Sequence, residues 1–222
     1  MTTIATEERV CAVCGERSPQ GLVVEAGREG SADLDLRPPP EQRDTIEHWV
    51  QECPHCGYCA PAIDQPVVDG AVGRVGSDGY RAIRAETGTP PLVVRLLCAS
   101  TLLEHAGRWV EASETALWAA WAADDAGDNE AALRARRRFL DLVEDLRGRG
   151  EHYIEDPDAE ALVMVDVARR AGEFDRAAGL ADRLAAVQDP RFGAIVAFQR
   201  ARIAARDTGR YTVEETFGGG SR

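Results

Sequence analysis

The chain has 222 residues, 44% of them hydrophobic and 29% charged, with a net charge of −12. That composition suits an ordinary soluble globular protein, as one moderate domain or a small lobe joined to a larger one. All 26 basic residues are arginine. The missing lysine excludes a Walker A loop, a Schiff-base enzyme and a protein kinase, each of which needs a lysine amine.

The acidic excess runs along the whole chain, with 8 Arg against 15 acidic residues in 1–88 and 18 against 23 in 89–222. This opposes phosphate binding and so argues against nucleic acid as a partner. No apolar run reaches the length of about 18 residues that a membrane span needs. The opening MTTIATEERV has neither a basic n-region nor an apolar h-region, so a cytoplasmic location is expected. There thiols stay reduced, and closely spaced cysteines ligate metals rather than pair.

Residues 1–63 carry five of the six cysteines. Leu22, Val23 and Val24 predict a strand, and the alternation from Ile46 to Gln51 predicts another. Between them, Ser31–Pro40 ends in three prolines and reads as extended backbone. Cys11-Ala12-Val13-Cys14-Gly15 and Cys53-Pro54-His55-Cys56-Gly57 are two C-x-x-C-G units. Two residues between thiolates let both sulfurs reach one ion, and the glycine lets the turn close beneath them. Cys11, Cys14, Cys53 and Cys56 together complete a closed tetrahedron, the pattern of structural Zn²⁺. A redox role would need a thioredoxin-like setting that neither unit has. An iron–sulfur cluster stays open, because Cys59 extends Cys53 and Cys56 into a C-x-x-C-x-x-C run. His55 is expected to face solvent, and Cys98 to be a buried hydrophobe.

Residues 64–89, with Gly70, Gly73, Gly76 and Gly79, read as a turn-rich connector. From Pro90 onward the apolar period is helical. Six helices are predicted, at about 90–106, 108–125, 128–147, 157–171, 174–188 and 191–206. Gly107-Arg108-Trp109-Val110-Glu111-Ala112 aligns with Gly172-Glu173-Phe174-Asp175-Arg176-Ala177, the same G-x-aromatic-x-x-A turn between two Ala-rich helices. This pattern is tetratricopeptide-like. An α+β, mostly α fold is therefore expected: a small β-rich, zinc-ribbon-like lobe over 1–63, a connector over 64–89, tetratricopeptide-like helical hairpins over 90–210, and a tail over 211–222. That tail should fray around Gly218, Gly219 and Gly220. Removing the metal should unfold the lobe and spare the helices.

The stretch Asp33-Leu34-Asp35-Leu36-Arg37-Pro38-Pro39-Pro40 is followed by Glu47-His48-Trp49-Val50-Gln51 and Cys53-Pro54-His55-Cys56-Gly57-Tyr58. With Cys11 and Cys14 before it, and Ala119-Ala120-Trp121 within Ala112–Gly127, it resembles a bacterial family of uncharacterised proteins. That family has an amino-terminal zinc-ribbon-like segment and tetratricopeptide-like helices. The resemblance covers roughly residues 10–146 and implies the four cysteine ligands but no activity. Cys59 departs from the pattern.

Further candidates for partner binding are Asp33, Asp35 and Arg37, Trp118, and Arg134, Arg137 and Arg138 on one helical face. Each has a structural alternative: turn caps and mutual pairing for the first three, packing on a neighbouring hairpin for Trp118, and solvated ion pairs for the arginines. His48, His55, His105 and His152 are scattered, and no HExxH or GxSxG motif occurs. The sequence therefore points to a protein- or peptide-binding adaptor. A nucleic-acid-binding ribbon and a metal- or cluster-dependent enzyme are the alternatives.

Overall fold

Two antiparallel hairpins mark the amino-terminal part of the chain in the computed structural model, which describes residues 2–218. Strand β1 (Thr3–Val10) pairs with β2 (Arg17–Glu25), from Val10 opposite Arg17 outward to Thr3 opposite Glu25. The second hairpin joins β3 (Gln51–Glu52) to β4 (Cys59–Ala60), with Glu52 opposite Cys59. In both hairpins the turn is the C-x-x-C-G unit. The strand expected around Leu22 to Val24 is the outer part of β2. The strand expected from Ile46 to Gln51 is absent: Ile46–His48 is a single 3₁₀ turn, and only Gln51 enters β3. The cause is local. Thr45 Oγ1 donates to the Gln42 carbonyl and accepts from Trp49 Nε1, both at 2.7 Å, so the chain folds on itself where an extended run was expected.

A short helix α1 (Pro40–Arg43) precedes this turn. Residues 64–89 hold two more, α2 (Ala71–Val75) and α3 (Asp78–Arg84), the latter capped by Ser77. Six longer helices follow: α4 (Pro91–His105), α5 (Trp109–Asp125), α6 (Asn129–Gly148), α7 (Pro157–Arg170), α8 (Phe174–Arg183) and α9 (Pro190–Ala204). Each expected helix is present, and the fold is α+β and mostly α. Helix α8 stops five residues short of the expected 188. A second 3₁₀ turn, Glu214–Phe217, closes the described chain. Gly218 lies at its end, whereas Gly219 and Gly220, the rest of the expected frayed run, fall outside the described residues.

Gly107 and Gly172 close the two repeat turns in the same way. Both sit at a φ near +72°. Each donates to a carbonyl three residues back, and the next residue donates to one five back, as Arg108 does to Leu103 and Glu173 to Ala168, both at 2.9 Å. Only glycine takes that backbone conformation without strain. In the first hairpin α5 is buried nearly all round by small residues, among them Ala112, Ala116, Ala119, Ala120 and Ala123. This lets α4 approach closely enough for Ser100 to donate to the Ala112 carbonyl at 2.8 Å.

The chain divides into two compact units. The first holds the residues up to Gly27 together with Glu41–Ala135, and the second holds Arg28–Pro40 together with everything from Arg136 on. The first unit thus contains both C-x-x-C-G hairpins, α2 to α5 and the start of α6. In the second, α7 packs against α8 and α9, and Asp33 forms a bridge with Thr212.

Candidate metal centre

Cys11, Cys14, Cys53 and Cys56 come together, with their four sulfurs within 4.8 Å of one another. Cys11 Sγ lies 3.7 Å from Cys56 Sγ, and Cys14 Sγ lies 3.6 Å from Cys53 Sγ. A tetrahedral ion with bonds of about 2.3 Å to sulfur sets its ligands about 3.8 Å apart. The observed spacing fits a single ion at the centre and can hold a metal.

The two halves are built alike. Gly15 N–H donates to the Cys11 carbonyl and Gly57 N–H to the Cys53 carbonyl, each at 2.8 Å. Cys11 N–H reaches Glu16 and Cys53 N–H reaches Tyr58, each at 2.9 Å. Gly15 and Gly57 both have φ near +75°, which closes the turn under the sulfurs. At Gly57 space matters as well, because a Cβ there would land on the Arg84 guanidinium.

Residues far from the cysteines in sequence hold the hairpins. Gln20 Nε2 donates to the Glu52 carbonyl at 3.1 Å and ties β2 to β3. Tyr80 of α3 is buried; its hydroxyl donates to the Gly57 carbonyl at 2.8 Å and accepts from Cys59 N–H at 3.1 Å. Arg84 of the same helix pairs with Glu52 at 3.3 Å. The connector expected from glycine content therefore carries the clamp on the second knuckle. Nothing in the spacing of Tyr80 or Arg84 marks that role.

Cys59 is buried and stands outside the four-sulfur group, its thiol directed to the Gly57 carbonyl at 3.4 Å. Cys98 is buried in α4. His55 is exposed.

Charge at the site follows from burial and backbone donors. Burial pushes the Cys11 and Cys56 thiols up. At Cys53 burial also opposes ionisation. It is outweighed by the N–H groups of Cys56 and His55 and by the Cys14 and Cys11 thiols, and the pKa falls to about 7. Of Cys11, Cys53 and Cys56, Cys53 is the thiol that ionises most readily near neutrality. Cys11 and Cys53 are buried, Cys14 is exposed and Cys56 half-buried, so the site is anchored on its inner side and open to chelators on the other.

The other candidate residues are dispersed. In the second unit Asp35 is fully buried and pairs with Arg170 at 2.7 Å, while its other oxygen accepts from Arg37 N–H at 3.3 Å. Arg37 is also buried. Asp33 lies 3.7 Å from Arg210. Its pKa rises to about 6, because burial and the neighbouring Asp35 charge outweigh Arg210, Arg37 and Arg170. Arg134 pairs with Glu86 at 2.6 Å and Glu130 at 3.0 Å, and Arg137 with Glu173 at 3.1 Å. Arg138 is half-buried on α6 and has partners within the chain. Trp118 is half-buried, edge-on to Trp49 with ring centres 4.8 Å apart.

No helix among the described residues is long and apolar enough to cross a membrane. No protein-family model matches the chain, and neither a curated protein nor a solved structure is similar to it.

Proposed function

We propose that Cys11, Cys14, Cys53 and Cys56 hold one structural Zn²⁺, and that the chain is a cytoplasmic adaptor whose tetratricopeptide-like hairpins bind a protein or peptide. The observation that carries the metal reading is the sulfur spacing, which suits one shared ion. Thiolates on the separate irons of a cluster would stand further apart. Four cysteine ligands leave no open position for a substrate, so the ion's work is mechanical: it fastens two hairpins too small to hold themselves. The repeated glycine turns of the α4–α5 and α7–α8 hairpins support the binding role, since stacked helix pairs present extended surfaces. The acidic balance favours protein over nucleic acid.

Elemental analysis of the purified chain tests the metal. One zinc per chain in a colourless protein is expected, and iron with visible colour would overturn it in favour of a cluster. Native pull-down comparing wild type with Cys53→Ser tests the adaptor. A partner retained by wild type is expected, weakened by the variant because Cys53 and the α4–α5 hairpin share the first unit, whereas capture of no partner by wild type would sink the proposal.

A further inference from the structure

Helix α5 carries a stripe on which Glu111, Glu114 and Trp118 are half-exposed and Asp125 is exposed. Most half-buried carboxylates of this arginine-rich chain have a guanidinium beside them, as Glu111 has Arg108 at 2.9 Å. Glu114 differs. Among the described residues its side chain makes no hydrogen bond and no ion pair, although burial and the nearby Glu111 charge raise its pKa. Removing a carboxylate from water without a partner costs free energy that an incoming cation can recover.

Trp118 lies one helical turn further on, where side chains four apart are neighbours. Its ring stands at 71° to Trp49. The Trp49 indole N–H is satisfied by Thr45 at 2.7 Å. That of Trp118 donates to no group among the described residues. The stripe therefore offers an unpaired anion, an aromatic face and a free donor within one turn.

We propose that Glu114 and Trp118, flanked by Trp49, capture an arginine side chain of a partner polypeptide. This rests on the adaptor reading and names the partner's chemistry. A guanidinium stacks on an indole face while two of its N–H groups meet a carboxylate, which a lysine ammonium does less well. The arginine's own backbone carbonyl supplies the acceptor that the Trp118 indole lacks, so a peptide fits better than a free amine. The chain's net charge of −12 speeds the approach of a basic partner.

The probe is the pentapeptide acetyl-Gly-Arg-Gly-Arg-Gly-amide, titrated into metal-loaded full-length protein carrying ¹⁵N-labelled tryptophan. The indole signals of Trp118 and Trp49 should shift saturably, while that of Trp109 should stay in place. The same peptide with citrulline for arginine keeps the shape without the charge and should have little effect. E114Q should weaken binding about tenfold, the scale of one charge-assisted contact. E144Q, at an exposed carboxylate in the second unit that pairs with Arg176, should bind like wild type. Equal affinity in E114Q, equal response to the citrulline peptide, or uniform shifts of all four indoles would overturn the inference. A chain that ignores the peptide yet still captures a Cys53-dependent partner overturns this inference alone; loss of that capture overturns the adaptor reading itself.

Discussion

Each unit has a stretch of irregular chain to hold, and the two do so by opposite chemistry. In the first unit the hairpins β1–β2 and β3–β4 are drawn together by four sulfurs within 4.8 Å. In the second, Arg28–Pro40 and the stretch after α9 are held by guanidinium groups. Arg169 is fully buried and donates to Asp166 at 2.6 Å, to Gln199 at 2.8 Å, and to the carbonyls of Asp207 and Gly209 at 2.6 and 2.8 Å. Asp35 meets Arg170 in the same interior. With the proposed ion bound, the sulfur site draws its strength from outside the chain and can be switched off by a chelator. The arginine network uses only the chain's own charges, so it answers to geometry and to pH.

The largest expected effect is on the first unit. Structural zinc contributes roughly 10–16 kcal/mol of apparent binding energy at neutral pH, far more than two small hairpins gain by packing. Chelation, or Cys53→Ser, should abolish hydrogen-exchange protection in β1 to β4 and α3. Amides of α7 and α9 should keep theirs. Simultaneous loss in α7, or full protection of β2 without metal, would break the distinction between the two holding devices.

Next comes Arg169→Lys. An ammonium cannot reproduce four donations spread over a planar fork, and breaking a buried ion pair costs about 3–5 kcal/mol. Urea denaturation followed by signals from α7 and α9 should show an unfolding free energy lowered by that amount and a correspondingly lower midpoint, with metal content unchanged. A midpoint equal to wild type would mean that the network is ornamental and that apolar packing of α7 on α9 does the holding.

The contrast also explains what could be read in advance. The metal ligands were legible because each knuckle is encoded within five consecutive residues, and the long helices because their apolar period repeats over several turns. Ile46 to Gln51 misled because its alternation mimics a strand, while the side-chain bonds of Thr45 to Gln42 and Trp49 decide the turn. Asp35 was visible only as a candidate for partner binding. Its arginine lies 135 residues away, and no local pattern records such a pairing. Tyr80 was hidden for the same reason, since its partners Gly57 and Cys59 belong to another element. Glu114 differs again. Its spacing from Trp118 is plain in the sequence, but its lack of a partner is a property of the folded chain.

The smallest effect, and the one of opposite sign, belongs to Asp33. Its folded pKa of about 6 lies above the ordinary value of 3.8, so between those two pH values the native chain holds a proton that the unfolded chain has released. Stability from this group is therefore full below about 3.8 and declines as pH rises through about 6. Asparagine has the shape of the protonated form and removes the titration. Asp33→Asn should match wild type in acid and exceed it at pH 7 by up to about 3 kcal/mol, the free energy of a shift of that size. Subtracting the two stability–pH curves isolates Asp33 from Asp166, whose pKa is also raised by burial. A variant less stable at pH 7 would show that attraction to Arg210, Arg37 and Arg170 exceeds the desolvation cost. Charge pairing at Asp33 would then hold the second unit rather than strain it.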